Sequence, residues 1–226
     1  MSAIMKRKLR LFKHHWSPKK IFLSALWGVA FLALSLVANY LAGTYATANA
    51  SNPVNDIILD NIPTFDVDGI FIYGIVLFFV FLGILMIIFP RRTPFVLKGL
   101  SLFIVVRSLF VILTHIGPSL RQTPLDIHNR IVDKITFTGD LFFSGHTGLP
   151  FLMALIFWNN KTLRWLFLGI SVFFGVIVLL GHLHYSIDVF SAYFITYGVY
   201  QIATRLFAKD FHLLNSLREI FPIKTK

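Results

Sequence analysis

Cysteine is absent from the 226-residue sequence. Its absence excludes disulfides, thiolate zinc sites, iron–sulfur clusters and Cys nucleophiles, and leaves the redox compartment unread. Charged residues are scarce at 14%, against about a quarter in a soluble domain. No internal repeat, low-complexity linker or separate soluble domain interrupts the chain. What is abundant is apolar: hydrophobic residues make up 56%, with Phe alone occurring 25 times. A domain of this size could not hide that much apolar surface from water. Disordered, collagen-like and coiled-coil architectures fail on the same composition. The composition is that of an integral membrane protein.

Six apolar stretches approach the roughly 20 residues that span about 30 Å of hydrocarbon: Ile21–Gly43, Gly69–Phe89, Val96–Ile116, Leu141–Trp158, Leu163–Leu183 and Tyr185–Phe207. They predict an all-α, polytopic fold. A basic cytoplasmic segment (1–20) precedes a six-helix transmembrane domain (21–207), and a basic cytoplasmic tail (208–226) follows it. The net charge of +11 would suggest nucleic acid if spread over a soluble surface, but its placement argues otherwise. Seventeen of the 21 Lys and Arg fall in the N-terminal segment, the second–third and fourth–fifth turns, and the end of the chain. The positive-inside rule then puts both termini in the cytoplasm, with the basic tails against anionic lipid heads. Lys-rich residues, an apolar run and Ala48-Asn49-Ala50 imitate a signal peptide, but the run exceeds the usual 7–15 residues of its hydrophobic region. It reads as a retained helix.

Polar residues concentrate on the outer face. The loop 44–68 is acidic (Asp56, Asp60, Asp66, Asp68), and the loop 117–140 carries mixed charge. Ionisable residues within or at the ends of spans are functional candidates by default, because each is expensive in lipid. Arg107 lies in the third span, with Thr114 seven residues on and on the same face. His146 stands in Asp140-Leu141-Phe142-Phe143-Ser144-Gly145-His146-Thr147, at the outer mouth of the fourth. His184 and Asp188 stand where the fifth span hands over to the sixth, one helical turn apart. The topology, derived from charge alone, brings all three groups to one membrane face.

A carboxylate one turn from an imidazole can bind one ring N–H, leaving the other nitrogen's lone pair free to attack. A second His can protonate a departing oxygen and later take a proton from an incoming hydroxyl. Arg offers a planar, permanently charged fork for phosphate oxygens. Phosphorus at the head-group level is the natural electrophile. A His/His/Asp metal site is a competing reading, but no third His or carboxylate is positioned to complete it, so neither metal nor cofactor is expected. His115, His128 and His182 read as helix-packing hydrogen bonders, and His14, His15 and His212 as interfacial.

Ser144-Gly145-His146-Thr147, His184-Tyr185-Ser186-Ile187-Asp188-Val189 and Ala192-Tyr193-Phe194-Ile195-Thr196 resemble the sphingomyelin synthase family, within the wider type 2 phosphatidic acid phosphatase (PAP2) superfamily. Asp140, and Arg107 through Thr114 to Pro118, resemble that family's third-span region. The resemblance covers about residues 55–207. It implies a six-helix bundle with an exoplasmic active site, in which His184 is the nucleophile, Asp188 orients it and His146 is the acid/base. Candidate head-group contacts are Arg107, Thr114, Asp140, Ser144 and Tyr185. The superfamily's phosphatases carry a Lys-x6-Arg-Pro clamp and an Arg before the nucleophilic His. Here Lys98 and Arg107 have the wrong spacing, no Pro follows Arg107, and no Arg lies in 165–183. That favours the synthase branch and leaves Arg107, Arg121, Arg130 and Lys134 as clamp candidates. Ser186 replaces the synthases' usual Thr and keeps the hydroxyl. No N-terminal protein-interaction domain is seen, so the chain reads as a bare catalytic core; by analogy it suits a bacterial cytoplasmic membrane.

The expected activity is transfer of a phospho-alcohol head group from a glycerophospholipid donor to ceramide or diacylglycerol through a His-linked intermediate. With water as acceptor the same residues make a lipid phosphatase or phospholipase C-like hydrolase. In a third reading, His, Asp and Arg only bind helices together in a non-catalytic lipid-binding or transport protein. Head-group choice and oligomeric state are not legible.

Overall fold

The computed structural model describes residues 18–123 and 139–220. Among them the regular structure is entirely helical: α1 (Pro18–Ala48), α2 (Asp68–Ile88), α3 (Thr93–Leu113), α4 (Gly145–Ile156), α5 (Lys161–Leu180), α6 (Ser186–Leu206) and α7 (Ala208–Ile220), with one 3-10 turn at Leu59–Asn61. Four of these, α1, α2, α3 and α5, are long and apolar enough to cross a membrane. Their lipid-facing surfaces stay apolar, with Phe22, Tyr73, Leu77 and Trp165 more than half exposed. This is a helical membrane bundle.

Each of the six expected spans contains a helix, with altered limits. The fourth is the largest difference. Leu141–Trp158 was expected, but α4 has 12 residues and so rises about 18 Å, well short of a bilayer. Residues 141–144 are held outside the helix by hydrogen bonds to Arg107 and Asp188. Pro150 lies inside α4 and withholds the N–H that the His146 carbonyl would otherwise accept. The stretch expected to be a basic tail instead opens with α7. Asp210 on α7 is buried and pairs with Lys98 Nζ at 2.6 Å, and Ser24 of α1 bonds both partners. The triangle ties α1, α3 and α7 together at the end of the bundle away from Arg107.

The short helix α4 sits at the centre, packed against α3, α5 and α6, while α1 lies along α3 and α2 along α5. Without a hydrophobic driving force between helices in lipid, close packing holds the bundle, so small residues mark the tightest contacts. At Gly28 an added Cβ would lie 2.8 Å from the Leu97 Cβ, where α1 meets α3. At Gly148 it would lie 2.7 Å from Phe103 and 2.8 Å from Thr196 Oγ1, where α3, α4 and α6 converge.

The connections at one end interlock. Ser51 N–H donates to the His115 carbonyl, Gly117 N–H to Asn52, Phe65 N–H to Leu180 and Thr123 N–H to Gly181. Gly139 N–H donates to Thr47 Oγ1. The segments after α1, after α3, before α4 and after α5 therefore share one face of the bundle.

Candidate active site

The junction between α5 and α6 supplies the best-defined pair. Asp188 is the third residue of α6, and its Oδ2 accepts the Tyr185 N–H at 3.0 Å, a helix-capping bond. The same oxygen lies 3.2 Å from His184 Nδ1. A carboxylate can only accept, so Nδ1 carries the proton and Nε2 keeps its lone pair. His184 is 6% exposed and Asp188 fully buried, with Asp188 Oδ1 lacking a hydrogen-bond partner among the described residues.

His146 enters from α4. Ser144 caps this helix: its hydroxyl accepts the Thr147 N–H, while its own N–H donates to the Asp188 carbonyl. The turn bearing His146 is thereby fastened to the turn bearing Asp188. The half-buried His146 ring stacks on Phe71 at 3.9 Å between centroids and meets Phe174 edge-on at 5.5 Å. Its Nε2 donates to the Phe71 carbonyl at 3.2 Å, which leaves Nδ1 as the exchangeable nitrogen. Gly145, the residue before His146, lies against the Arg107 guanidinium. The elements bearing His146, His184, Asp188 and Arg107, separated by up to 81 positions in sequence, are thus joined by the Ser144–Asp188 and His184–Asp188 bonds and by the Gly145–Arg107 approach.

Arg107 is less free than expected of a phosphate clamp. Nε donates to the Phe143 carbonyl at 2.9 Å, Nη1 to Asp140 Oδ2 at 2.7 Å and Nη2 to the Asp140 carbonyl at 3.2 Å. Three of the five donors of a guanidinium are used, and the Asp140 carboxylate offsets its charge. Arg107 holds the segment before α4, lying against Gly145, where an added Cβ would come 3.4 Å from Nε. Asp140, expected as a head-group contact, faces Arg107 with its Oδ2.

The other candidates divide. Thr114 is extended, just beyond the end of α3, so the helical face it was expected to share with Arg107 stops short of it; its hydroxyl donates to Phe110. Ser144 is the cap described above. Tyr185 is buried, its hydroxyl donating to the Gly117 carbonyl and accepting the Val54 N–H, so it anchors loops. Arg121 is exposed, and Arg130, Lys134, His128, His14 and His15 lie outside the described residues. Lys98 is committed to Asp210. His182 departs from the expected hydrogen-bonding role: it is buried at the turn after α5 with φ 52°, and neither ring nitrogen has a partner among the described residues. No cluster of three metal-ligating side chains occurs among the described residues.

Two contributors went unread in the sequence. Phe71 supplies both a carbonyl and a stacking face to His146, yet nothing distinguishes it among 25 Phe. Asp56 stood out in the sequence only as one of four acids in the loop 44–68, yet it is buried against Ser186.

Residues 138–205 match the family model described as PAP2 superfamily C-terminal. No curated protein and no solved structure matches the chain. The matched segment carries Ser144, His146, His184 and Asp188, and it supports a place in the PAP2-like superfamily, a class of lipid phosphatases and phosphotransferases. The helices form a membrane bundle, and its residues 138–205 are similar to the C-terminal part of the PAP2 superfamily.

Proposed function

We propose that this chain is a sphingomyelin synthase-like phosphotransferase, moving a phospho-alcohol head group from a glycerophospholipid to ceramide or diacylglycerol at an exoplasmic site. On this reading the chain crosses the membrane six times with both termini in the cytoplasm, the short α4 making its crossing inside the bundle together with the extended residues before it, where Phe143 and Ser144 are buried. The observation that carries the reading is the buried His184 Nδ1–Asp188 Oδ2 bond at 3.2 Å, to which the turn bearing His146 is fastened by the Ser144 N–H bond to the Asp188 carbonyl. His184 Nε2 attacks phosphorus, and the bond from phosphorus to the donor's diacylglycerol oxygen breaks. His146 enters this step as the imidazolium, with Nε2–H on the Phe71 carbonyl, and gives its second proton, on Nδ1, to that oxygen, leaving the neutral ring. In the second half the acceptor hydroxyl returns a proton to Nδ1, its oxygen attacks phosphorus, and the P–N bond to His184 breaks. Asp188 holds the Nδ1 proton of His184 throughout and offsets the positive charge that the ring bears in the intermediate.

The test uses purified protein in nanodiscs with head-group-labelled phosphatidylcholine, phosphatidylethanolamine or phosphatidylglycerol, together with ceramide or diacylglycerol. A new labelled phospholipid is expected, abolished in His184→Ala. Release of water-soluble phospho-head group instead would assign the hydrolase reading. Wild-type turnover in His184→Ala would refute the mechanism.

A further inference from the structure

The loop between α1 and α2 turns one of its carboxylates inward. Asp60 and Asp66 are exposed, whereas Asp56 is 8% exposed. Both of its oxygens are in use. Oδ1 accepts the N–H groups of Ile58 at 2.9 Å and Leu59 at 3.1 Å, which fold the loop into the 3-10 turn. Oδ2 accepts the Ser186 N–H at 2.7 Å. Ser186 is the first residue of α6. The amide immediately before it, Tyr185 N–H, donates to Asp188 Oδ2, the oxygen that holds His184 Nδ1. Two successive N–H groups at the start of α6 are thus shared between two carboxylates, one from the site and one from a loop 130 residues away in sequence. The same loop grips the Tyr185 side chain, since Val54 N–H donates to its hydroxyl.

We propose that Asp56 is a positioning residue for the His184–Asp188 pair, fixing the Tyr185–Ser186 backbone so that Asp188 stays aligned on His184 Nδ1. The inference rests on the phosphotransfer reading of that pair. It also specifies the chemistry that position 56 requires. An Asn there has one acceptor oxygen, so its NH2 would face either the Ser186 N–H or the N–H groups of Ile58 and Leu59, a donor against a donor. The isosteric amide therefore fails. Glu retains two acceptor oxygens, one methylene further out, and recovers part of the function.

The experiment compares Asp56→Asn and Asp56→Glu with Asp66→Asn, which removes an exposed charge from the same loop. The full chain in phosphatidylcholine–phosphatidylethanolamine nanodiscs with fluorescent ceramide is assayed for kcat and KM. Amide hydrogen exchange is followed in peptides covering 183–188 and 165–176. A misplacement on the order of 1 Å costs about a hundredfold in rate. Asp56→Asn should therefore lose about a hundredfold in kcat with KM changed less than about threefold, and Asp56→Glu should fall between it and wild type. Exchange should accelerate in 183–188 and not in 165–176. Asp56→Asn with kcat within about threefold of Asp66→Asn, or with unaltered exchange in 183–188, overturns the proposal. So does an equal acceleration in both peptides, which marks general loosening. Selective acceleration in a protein whose wild type transfers no head group supports the anchor and refutes the phosphotransfer reading.

Discussion

Asp188→Asn separates a carboxylate that caps a helix from one that supports charge on an imidazole. Asn caps helices as well as Asp does, and its oxygen can take the place of Oδ2, accepting both the Tyr185 N–H and the His184 Nδ1–H. The geometry is preserved and only the charge is lost. When Nε2 holds phosphorus while Nδ1 remains protonated, the ring is cationic, and it lies 3.2 Å from the carboxylate oxygen. At an effective dielectric constant of about 20, two unit charges at that separation attract by about 5 kcal/mol. Both groups are more than nine-tenths buried, so solvent removes little of this. With 1.36 kcal/mol per decade, Asp188→Asn should lower kcat by roughly a thousand- to ten-thousandfold, leaving KM and thermal stability nearly unaltered. Nanodisc turnover with fluorescent ceramide measures the first quantity, and quenching after a single turnover measures the phosphohistidine formed. A loss of less than tenfold would show that Asp188 serves α6 and not His184, and the charge argument would fall.

Lys98→Met leaves Asp210 buried and unpaired beside Ser24, at a cost of about 3–5 kcal/mol; a marked drop in thermal midpoint is expected, largely recovered in Lys98→Met with Asp210→Leu. The Asp56 carboxyl titrates below its ordinary value of 3.8: burial works to raise it, but hydrogen bonds from Leu59, Ser186 and Ile58 outweigh burial. A lowered folded-state pKa gives stability that is fully present above the unfolded value and lost as pH falls towards the folded one. The wild-type thermal midpoint should accordingly fall more steeply than that of Asp56→Ala from about pH 5 to pH 3, and parallel curves would contradict the assignment. Phe71→Ala removes the ring stacked on His146 while keeping the carbonyl that its Nε2 addresses; water then reaches the imidazole, and the ratio of hydrolysis to transfer should rise severalfold, read as soluble head group against new lipid.

Long-range charge placement and short motifs were both legible in the sequence, because each has a local physical signature. Lys and Arg cluster in alternate turns between the apolar stretches, which groups the loops 44–68 and 117–140 together in the sequence, and segments of both are hydrogen-bonded to one another. His184 and Asp188 were readable as neighbours since i and i+4 are adjacent on any helix. The actual junction differs in detail: His184 precedes α6, and the contact is made by a cap instead of a helical face. The end of α3 was not legible, because an apolar run continues through Ile116 while the backbone turns extended at Thr114. Nor was the shortness of α4, where apolar residues 141–143 look helical by composition but have their carbonyls or side chains claimed by Arg107 and neighbouring aromatic rings. Hydropathy cannot separate an apolar residue in a helix from one in a loop buried by protein. Asp56 carries no signal either, since its partner Ser186 lies 130 residues away and the loop around it is acidic throughout.

Two helix N-termini meet at the site, and they are treated differently. That of α6 is occupied by two carboxylates, Asp56 on Ser186 N–H and Asp188 on Tyr185 N–H. That of α4 is capped by the neutral hydroxyl of Ser144. A helix start carries partial positive charge and unpaired N–H groups that suit an anion, but a start already filled by carboxylates repels a phosphate. On the phosphotransfer reading, the phosphate is therefore received at α4, beside Gly145 and the two N–H donors of Arg107 not engaged by Asp140 or Phe143. The His184 ring lies beside the Asp188 carboxylate, which favours positive charge on it. The Ser144 N–H bond to the Asp188 carbonyl at 3.0 Å fixes the distance between the two helix ends. Pairing Arg107 with Asp140 has the same consequence: the receiving side keeps directed donors without a large excess of charge. A phosphoryl group held by donors rather than by a naked cation is bound less tightly in its ground state, and it can leave with the acceptor lipid once the second P–O bond has formed.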